Sequence, residues 1–201
     1  MNNDMNPYKS KLFSIGDFDN NLDEMVIRPS EVESLYKLKE WIVKFLCTSY
    51  ENLGRRGHVC PYTKLAIQND NLKIALLSVN ENDFSGFEKQ ILEYLDEFIM
   101  RQKGKKNVYN TFVIALLNIN NVKNFVDKAH EKIKPNFVLK GYMFGQFYPG
   151  CNIPGIHNDN FLSLDSPHPM FVIRNMVEND HLFLQDNEDH LKYYNKHFKT
   201  K

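Results

Sequence analysis

A chain of 201 residues with 25 basic and 25 acidic side chains has no net formal charge, so it lacks the basic excess that general DNA or RNA binding requires. With 42% hydrophobic and 13% aromatic residues, a chain of this length buries about 70% of its unfolded surface in one core and needs no disulfide staple. No apolar stretch reaches the roughly 18 residues of a membrane-spanning helix, which argues against a membrane protein.

The start, Met1–Asn20, is polar and acidic and lacks the apolar centre of a signal peptide. Cys47, Cys60 and Cys151 form an odd set without regular spacing, which reads as a reducing, cytoplasmic compartment. Residues 1–28 show little periodicity and read as an N-terminal arm, in which Leu12-Phe13 and Met25-Val26-Ile27 pack. Residues 29–201 read as a single α/β domain.

In Pro29-Ser30-Glu31-Val32-Glu33, Ser30 can cap a helix and Glu33 can reach back to it. Leu35, Leu38, Trp41, Ile42, Phe45 and Leu46 follow at helical spacing, with Trp41 expected in the core. Asn52-Leu53-Gly54 ends this helix near residue 50. Thr63–Gln68 predicts a short helical turn and Leu72–Val79 a buried strand. Ser85 and Glu88 form a second capping box. They open an amphipathic helix of Phe84, Phe87, Ile91, Leu92, Leu95, Phe98 and Ile99 that ends near Gly104. The basic run Arg101–Lys106 fits that helix end and its turn.

Thr111–Ile119 is apolar enough for a strand buried on both faces. Val122, Phe125, Val126, Ala129 and Ile133 predict a helix that Pro135 closes. Phe137–Phe147 and Met170–Met176 read as the last two strands, and residues 187–197 as a final helix. The order α-β-α-β-α-β-β-α predicts an α/β (α+β) fold, one mixed sheet of about four or five strands with helices packed on it. Its last two strands pair antiparallel across the 148–167 loop.

Chemistry concentrates in a few segments. Gly54-Arg55-Arg56-Gly57-His58-Val59-Cys60-Pro61-Tyr62-Thr63 gathers glycines, arginines, a histidine and a cysteine outside any regular element. Cys60-Pro61-Tyr62 is similar to a glutaredoxin active site, but a helix precedes it and Thr63 stands where a second cysteine would be. Gly141-Tyr142-Met143-Phe144-Gly145-Gln146-Phe147-Tyr148-Pro149 holds two glycines in an expected strand, where backbone or ligand must come close. Its Tyr142, Phe144 and Tyr148 suit either a wall for a flat ligand or packing against a helix, with Gln146 beside them.

Ser166-Pro167-His168-Pro169-Met170-Phe171-Val172-Ile173-Arg174-Asn175-Met176-Val177 places a cation inside an apolar strand. Such a charge needs a partner, either a ligand carboxylate or haem propionate, or else Asp165 or Asp180. His157 and Asp159, with His168 or His181, have the composition of a non-haem iron site.

The order of these three motifs, Gly57 to Tyr62, Gly141 to Pro149 and Ser166 to Val177, resembles an uncharacterised bacterial domain family over about residues 54–184. Members of that family tend to occur beside specialised-metabolite biosynthesis genes, and the resemblance carries no activity with it. The chain is also similar, more faintly, to the haem-dependent N-hydroxylases of guanidino amino acids. These share an early Pro/Cys motif, the element order and a late arginine, although here Cys60 precedes Pro61.

The expected function is a small-molecule enzyme of bacterial secondary metabolism. A haem-dependent oxygenase or N-hydroxylase is the leading form, with Cys60 or His58 as axial ligand or reactive group and Arg174 holding an anion. Arg55, Arg56, Tyr62, Tyr142, Phe144, Gln146, Tyr148, His168 and Asn175 would contact the ligand. The alternatives are a non-catalytic small-ligand-binding or accessory protein and a non-haem iron enzyme using His157, Asp159 and His168. Expected partners are a small molecule and a second copy of the chain.

Overall fold

The computed structural model describes residues 11–22 and 27–198, without the side chain of Asn21. Met25 and Val26 of the expected arm lie outside the described residues. The strands are β1 (Phe13–Ser14), β2 (Leu72–Ser78), β3 (Thr111–Leu117), β4 (Tyr142–Phe147) and β5 (Met170–Asn175). The helices are α1 (Phe18–Leu22), α2 (Pro29–Glu40), α3 (Thr63–Gln68), α4 (Phe84–Arg101), α5 (Val122–Leu139) and α6 (Glu188–Phe198). They form the mixed α/β architecture expected, around one five-stranded sheet of order β1-β2-β3-β5-β4.

β2 and β3 pair in parallel, from Leu72↔Thr111 to Ser78↔Leu117, and α4 connects them. β5 is antiparallel to β3 and to β4. It therefore fills the place between two strands that run the same way, and the β3-α5-β4 connection steps over it. The antiparallel pairing of the last two strands across the 148–167 loop is as expected.

Both faces of the sheet are covered, which explains the near-continuous apolar runs of β2 and β3. On one face, Ala75, Leu77, Phe112, Ile114, Leu116, Phe144, Phe171 and Ile173 meet the apolar stripes of α4 and α5. On the other, Leu72, Ile74, Leu76, Val113, Ala115 and Met170 meet Phe18, Leu22, Leu35, Leu38, Ile42 and Ala66. Phe13, Phe18 and Leu22 thus belong to the core, and Phe13 pairs with Ile74 at the sheet edge.

Local signals differ from the structure in four places. α2 starts at Pro29, with Arg28 in the capping position and no side-chain cap, and Glu33 pairs with Lys37 instead of closing a box on Ser30. α4 is capped by Asp83, which accepts from the Gly86 N–H at 2.8 Å, so Ser85 lies inside the helix. α2 does not run regularly to residue 50; a π-helical turn takes over at Trp41–Phe45, and a short 3₁₀ turn follows at Glu51–Leu53.

Pro135 does not close α5, which runs on to Leu139. The proline forgoes one helix hydrogen bond, but Phe137 and Val138 beyond it are fully buried and hold the last turn down. The helix stops instead at Gly141, whose φ of +81° suits glycine and whose N–H donates to the Val138 carbonyl. Gly141 is therefore a helix terminator and not a strand residue, so β4 is shorter than expected.

The cap on α4 separates two readings of one stretch of sequence. Asp83→Ala is expected to cost about 1 kcal/mol in urea unfolding, and Ser85→Ala to change stability by less than about half that.

Candidate functional site

Side chains alternate across a strand, so Tyr142, Phe144, Gln146 and Tyr148 share one face, beneath α5. Phe144 stacks between Phe137 and Phe171, at ring-centroid distances of 4.4 and 4.5 Å. Tyr142 packs edge-on against Phe98 at 5.8 Å. Gln146 Nε2 donates to Asp127 Oδ1 at 3.1 Å, and the Tyr148 hydroxyl donates to the same oxygen at 2.9 Å. Burial, together with that bond to Asp127, pushes the Tyr148 hydroxyl up to about 12. Of the two roles open to these aromatics, the structure uses them as packing against a helix.

Arg174 lies on the other face. Its Nη1 donates to Asp180 Oδ2 at 2.7 Å and its Nη2 to Asp180 Oδ1 at 2.5 Å, while Nη1 also donates to the Asn175 carbonyl at 3.0 Å. Burial works against the guanidinium charge, and Asp180 more than offsets it, so the group stays protonated. Of the partners weighed for Arg174, the structure supplies Asp180. Cys60 and Tyr62 stand within electrostatic reach of the pair, so the first and third motifs do approach one another.

The remaining candidates serve their own surroundings. Asn175 is buried and donates to Gln102 Oε1 at 2.8 Å and to the Asn107 carbonyl at 2.7 Å. Arg55 Nη2 donates to the Val59 carbonyl at 2.8 Å within its own loop, and Arg56 is exposed. His58 forms a backbone bridge with Ser49. Gly54, at φ +80°, lies against the His157 carbonyl, where a Cβ would come within 2.2 Å of the oxygen. The 54–63 segment is thus docked on the 152–160 loop.

His157 and Asp159 are exposed, whereas His168 is buried with Nδ1 2.7 Å from Ser34 Oγ. These three do not converge, and among the described residues no three His, Cys, Asp or Glu side chains are grouped to hold a metal ion. A haem does not fit the proposed residues either. Arg174 is already neutralised, and the aromatic strand expected as pocket wall faces away from it.

A concave feature among the described residues lies elsewhere, an open groove of about 470 Å³ between α2 with its π-helical turn and the loop that follows β4. Lys37, Glu40, Trp41, Lys44, Phe45 and Tyr50 line one side, and Pro149, Asp165, Ser166 and Pro167 the other. The π-helical turn is closed by the Leu46 N–H donating to the Trp41 carbonyl at 3.2 Å, an irregularity frequent at functional sites. Trp41 and Phe45 stack at 5.3 Å, and Phe45 stacks on Phe161 at 5.8 Å and touches Tyr50 at 5.4 Å. Lys37–Glu33 and Lys44–Glu40 ion pairs run along the helix beside the rings.

The loop wall is braced from behind. Asp165 Oδ1 accepts from the Gly150 N–H at 2.8 Å, and Ser166 Oγ donates to the His168 carbonyl at 2.7 Å. Trp41 is therefore half-buried: it packs at the margin of the core, edge-on to Phe147 at 5.9 Å, and also lines the groove. A signal for this was present: Lys37 and Lys44 sit four and three residues from Trp41, on the same side of a helix.

Breaking the Arg174–Asp180 pair leaves a buried charge unpaired. Asp180→Ala is expected to lower stability by about 3–5 kcal/mol in chemical denaturation. Burial also pushes the His130 and His168 imidazoles down from 6.5 to about 4. Between those values the unfolded chain binds protons that the folded chain refuses, so stability is full above about pH 6.5 and falls as the pH drops toward 4. Urea midpoints measured across this window are expected to fall with pH, and His130→Gln with His168→Gln to flatten the slope.

No curated protein and no solved structure matches the chain. A family model does match, that of a domain of unknown function (DUF6875), over residues 35–201. That span includes every residue lining the groove and all three motifs. The chain belongs to the DUF6875 family.

Proposed function

We propose that the protein binds a small molecule with a flat ring system in the groove, packed on the half-exposed Trp41 with Phe45 and Tyr50 beside it. The observation that carries this reading is the row of stacked, half-exposed aromatic side chains in an open concavity. The exposed parts of such rings offer area and directional contact to another flat molecule. Zero net charge speaks for a metabolite over a nucleic-acid strand. The paired lysines and acids along the rim can orient polar substituents. Binding, as in a carrier, sensor or accessory subunit of small-molecule metabolism, accounts for the groove without requiring a reactive group in it.

A catalytic reading on Cys60, His58 and Arg174 comes second. The proximity of Cys60 and Tyr62 to Arg174 favours it, but the Asp180 carboxylate already occupies the cation that was to hold a substrate or propionate.

Trp41 is the only tryptophan in the chain, so its fluorescence reports on the groove directly. Titration with a panel of planar aromatic metabolites is expected to yield saturable quenching by at least one class, weakened about ten-fold or more by Phe45→Ala. Uniform, non-saturating response across the panel would overturn the reading. Protein purified with haem supplied is expected to show no Soret band that changes with Cys60→Ala or His58→Ala.

A further inference from the structure

Just beyond the π-helical turn the backbone folds back and brings two cysteines together. Ser49 and His58 form an antiparallel bridge. The Val59 N–H donates to the Thr48 carbonyl at 2.9 Å, and the Cys60 N–H donates to the Leu46 carbonyl at 2.9 Å. The peptide that leads into Cys47 is thus tied to Cys60, and the Thr48 carbonyl just beyond it to Val59. Counting two residues away from the bridge along each arm arrives at Cys47 on one and Cys60 on the other.

The bond from the Cys60 N–H to the carbonyl of the peptide that leads into Cys47 keeps the two Cα atoms within about 7 Å of each other, close to the roughly 4.4–6.8 Å that a disulfide spans. Both thiols are free and half-buried, so each is within reach of a small reagent. Cys151, by contrast, is fully buried, in the core cluster that contains Tyr148 on the α5 face.

We propose that Cys47 and Cys60 are a redox-active dithiol, which low-molecular-weight disulfides oxidise to an intramolecular disulfide. Cys60 is the attacking group, because it is the other thiol, Cys47, that burial holds in its protonated form. Burial, and then the neighbouring Cys60, pushes the Cys47 thiol up, which suits it to the second, resolving step.

The Cys60 thiolate attacks one sulfur of the reagent disulfide and expels a thiolate, leaving a mixed disulfide. Cys47 loses its proton and attacks Cys60 Sγ, expelling the second reagent thiolate. Two protein thiols and one small disulfide become one protein disulfide and two small thiols. The bond would pin the 49–58 turn to the end of the helix that carries Trp41 and Phe45, and the site does not depend on any ligand in the groove.

The test is incubation of the full chain with oxidised glutathione, followed by acid quench, alkylation and peptide mass analysis. The expected product is a peptide pair joined through Cys47 and Cys60, formed at least about ten-fold faster than any modification of Cys151. Cys47→Ser is expected to halt the reaction at a mixed disulfide on Cys60, and Cys151→Ser to leave the link intact. Recovery of both thiols in alkylated form, a lasting glutathione adduct on either cysteine of the unmodified sequence, or a link through Cys151 would each refute the proposal. The unmodified chain decides the matter alone, so a variant that misfolds does not shield it.

Discussion

A sheet covered by helices on both sides forces every strand residue to choose between two closed compartments, and successive residues must choose oppositely. This alternation governs the molecule more than any single bond does. It sends Phe144, Gln146 and Tyr148 under α5 while Arg174, on the adjacent strand, belongs to the opposite face with its carboxylate partner Asp180. Residues that share a sheet can therefore be close through the backbone and still have nothing to do with each other chemically. The insertion of β5 between β3 and β4 strengthens the constraint, since its two sets of side chains must fit both neighbours.

The polar side chains inside this arrangement each hold at least one partner, although Gln146 Oε1, Asn175 Oδ1 and Gln102 Nε2 have none. Asp127 accepts from Gln146 and Tyr148, Asn175 reaches Gln102 and the Asn107 carbonyl, and Asp180 takes both the guanidinium and the Val177 N–H. Each pairing removes the penalty that an isolated buried polar group would carry. An anomalous residue in an apolar strand is thus explained by architecture here, and function has to be sought where apolar rings remain uncovered. That place is the π-helical turn, where Trp41 and Phe45 line a groove shared with the loop after β4.

The element types, their order and the two-sided burial of β2 and β3 were legible in the chain itself, because apolar spacing reports directly which periodicity a segment can satisfy. Helix ends were less so. Ser30 and Ser85 had the right chemistry for caps, but Arg28 and Asp83 hold the cap positions, since a cap depends on where the backbone turns and several nearby residues can serve. Pro135 looked like a stop, and the buried contacts of Phe137 and Val138 carried the helix past it.

What the linear order determined, then, was a mixed α/β chain with unusual residues at 54–63, 141–149 and 166–177. It also supplied a short set of acids able to neutralise Arg174, with Asp180 among them. Only the tertiary structure decided which of those stretches meet, because strand order and the choice of face depend on long-range packing that local spacing does not encode. It set Trp41 at the rim of a groove with Pro149 and Pro167, more than a hundred residues away along the chain. It also folded residues 58–60 back on 46–49, a proximity that no spacing of cysteines announces.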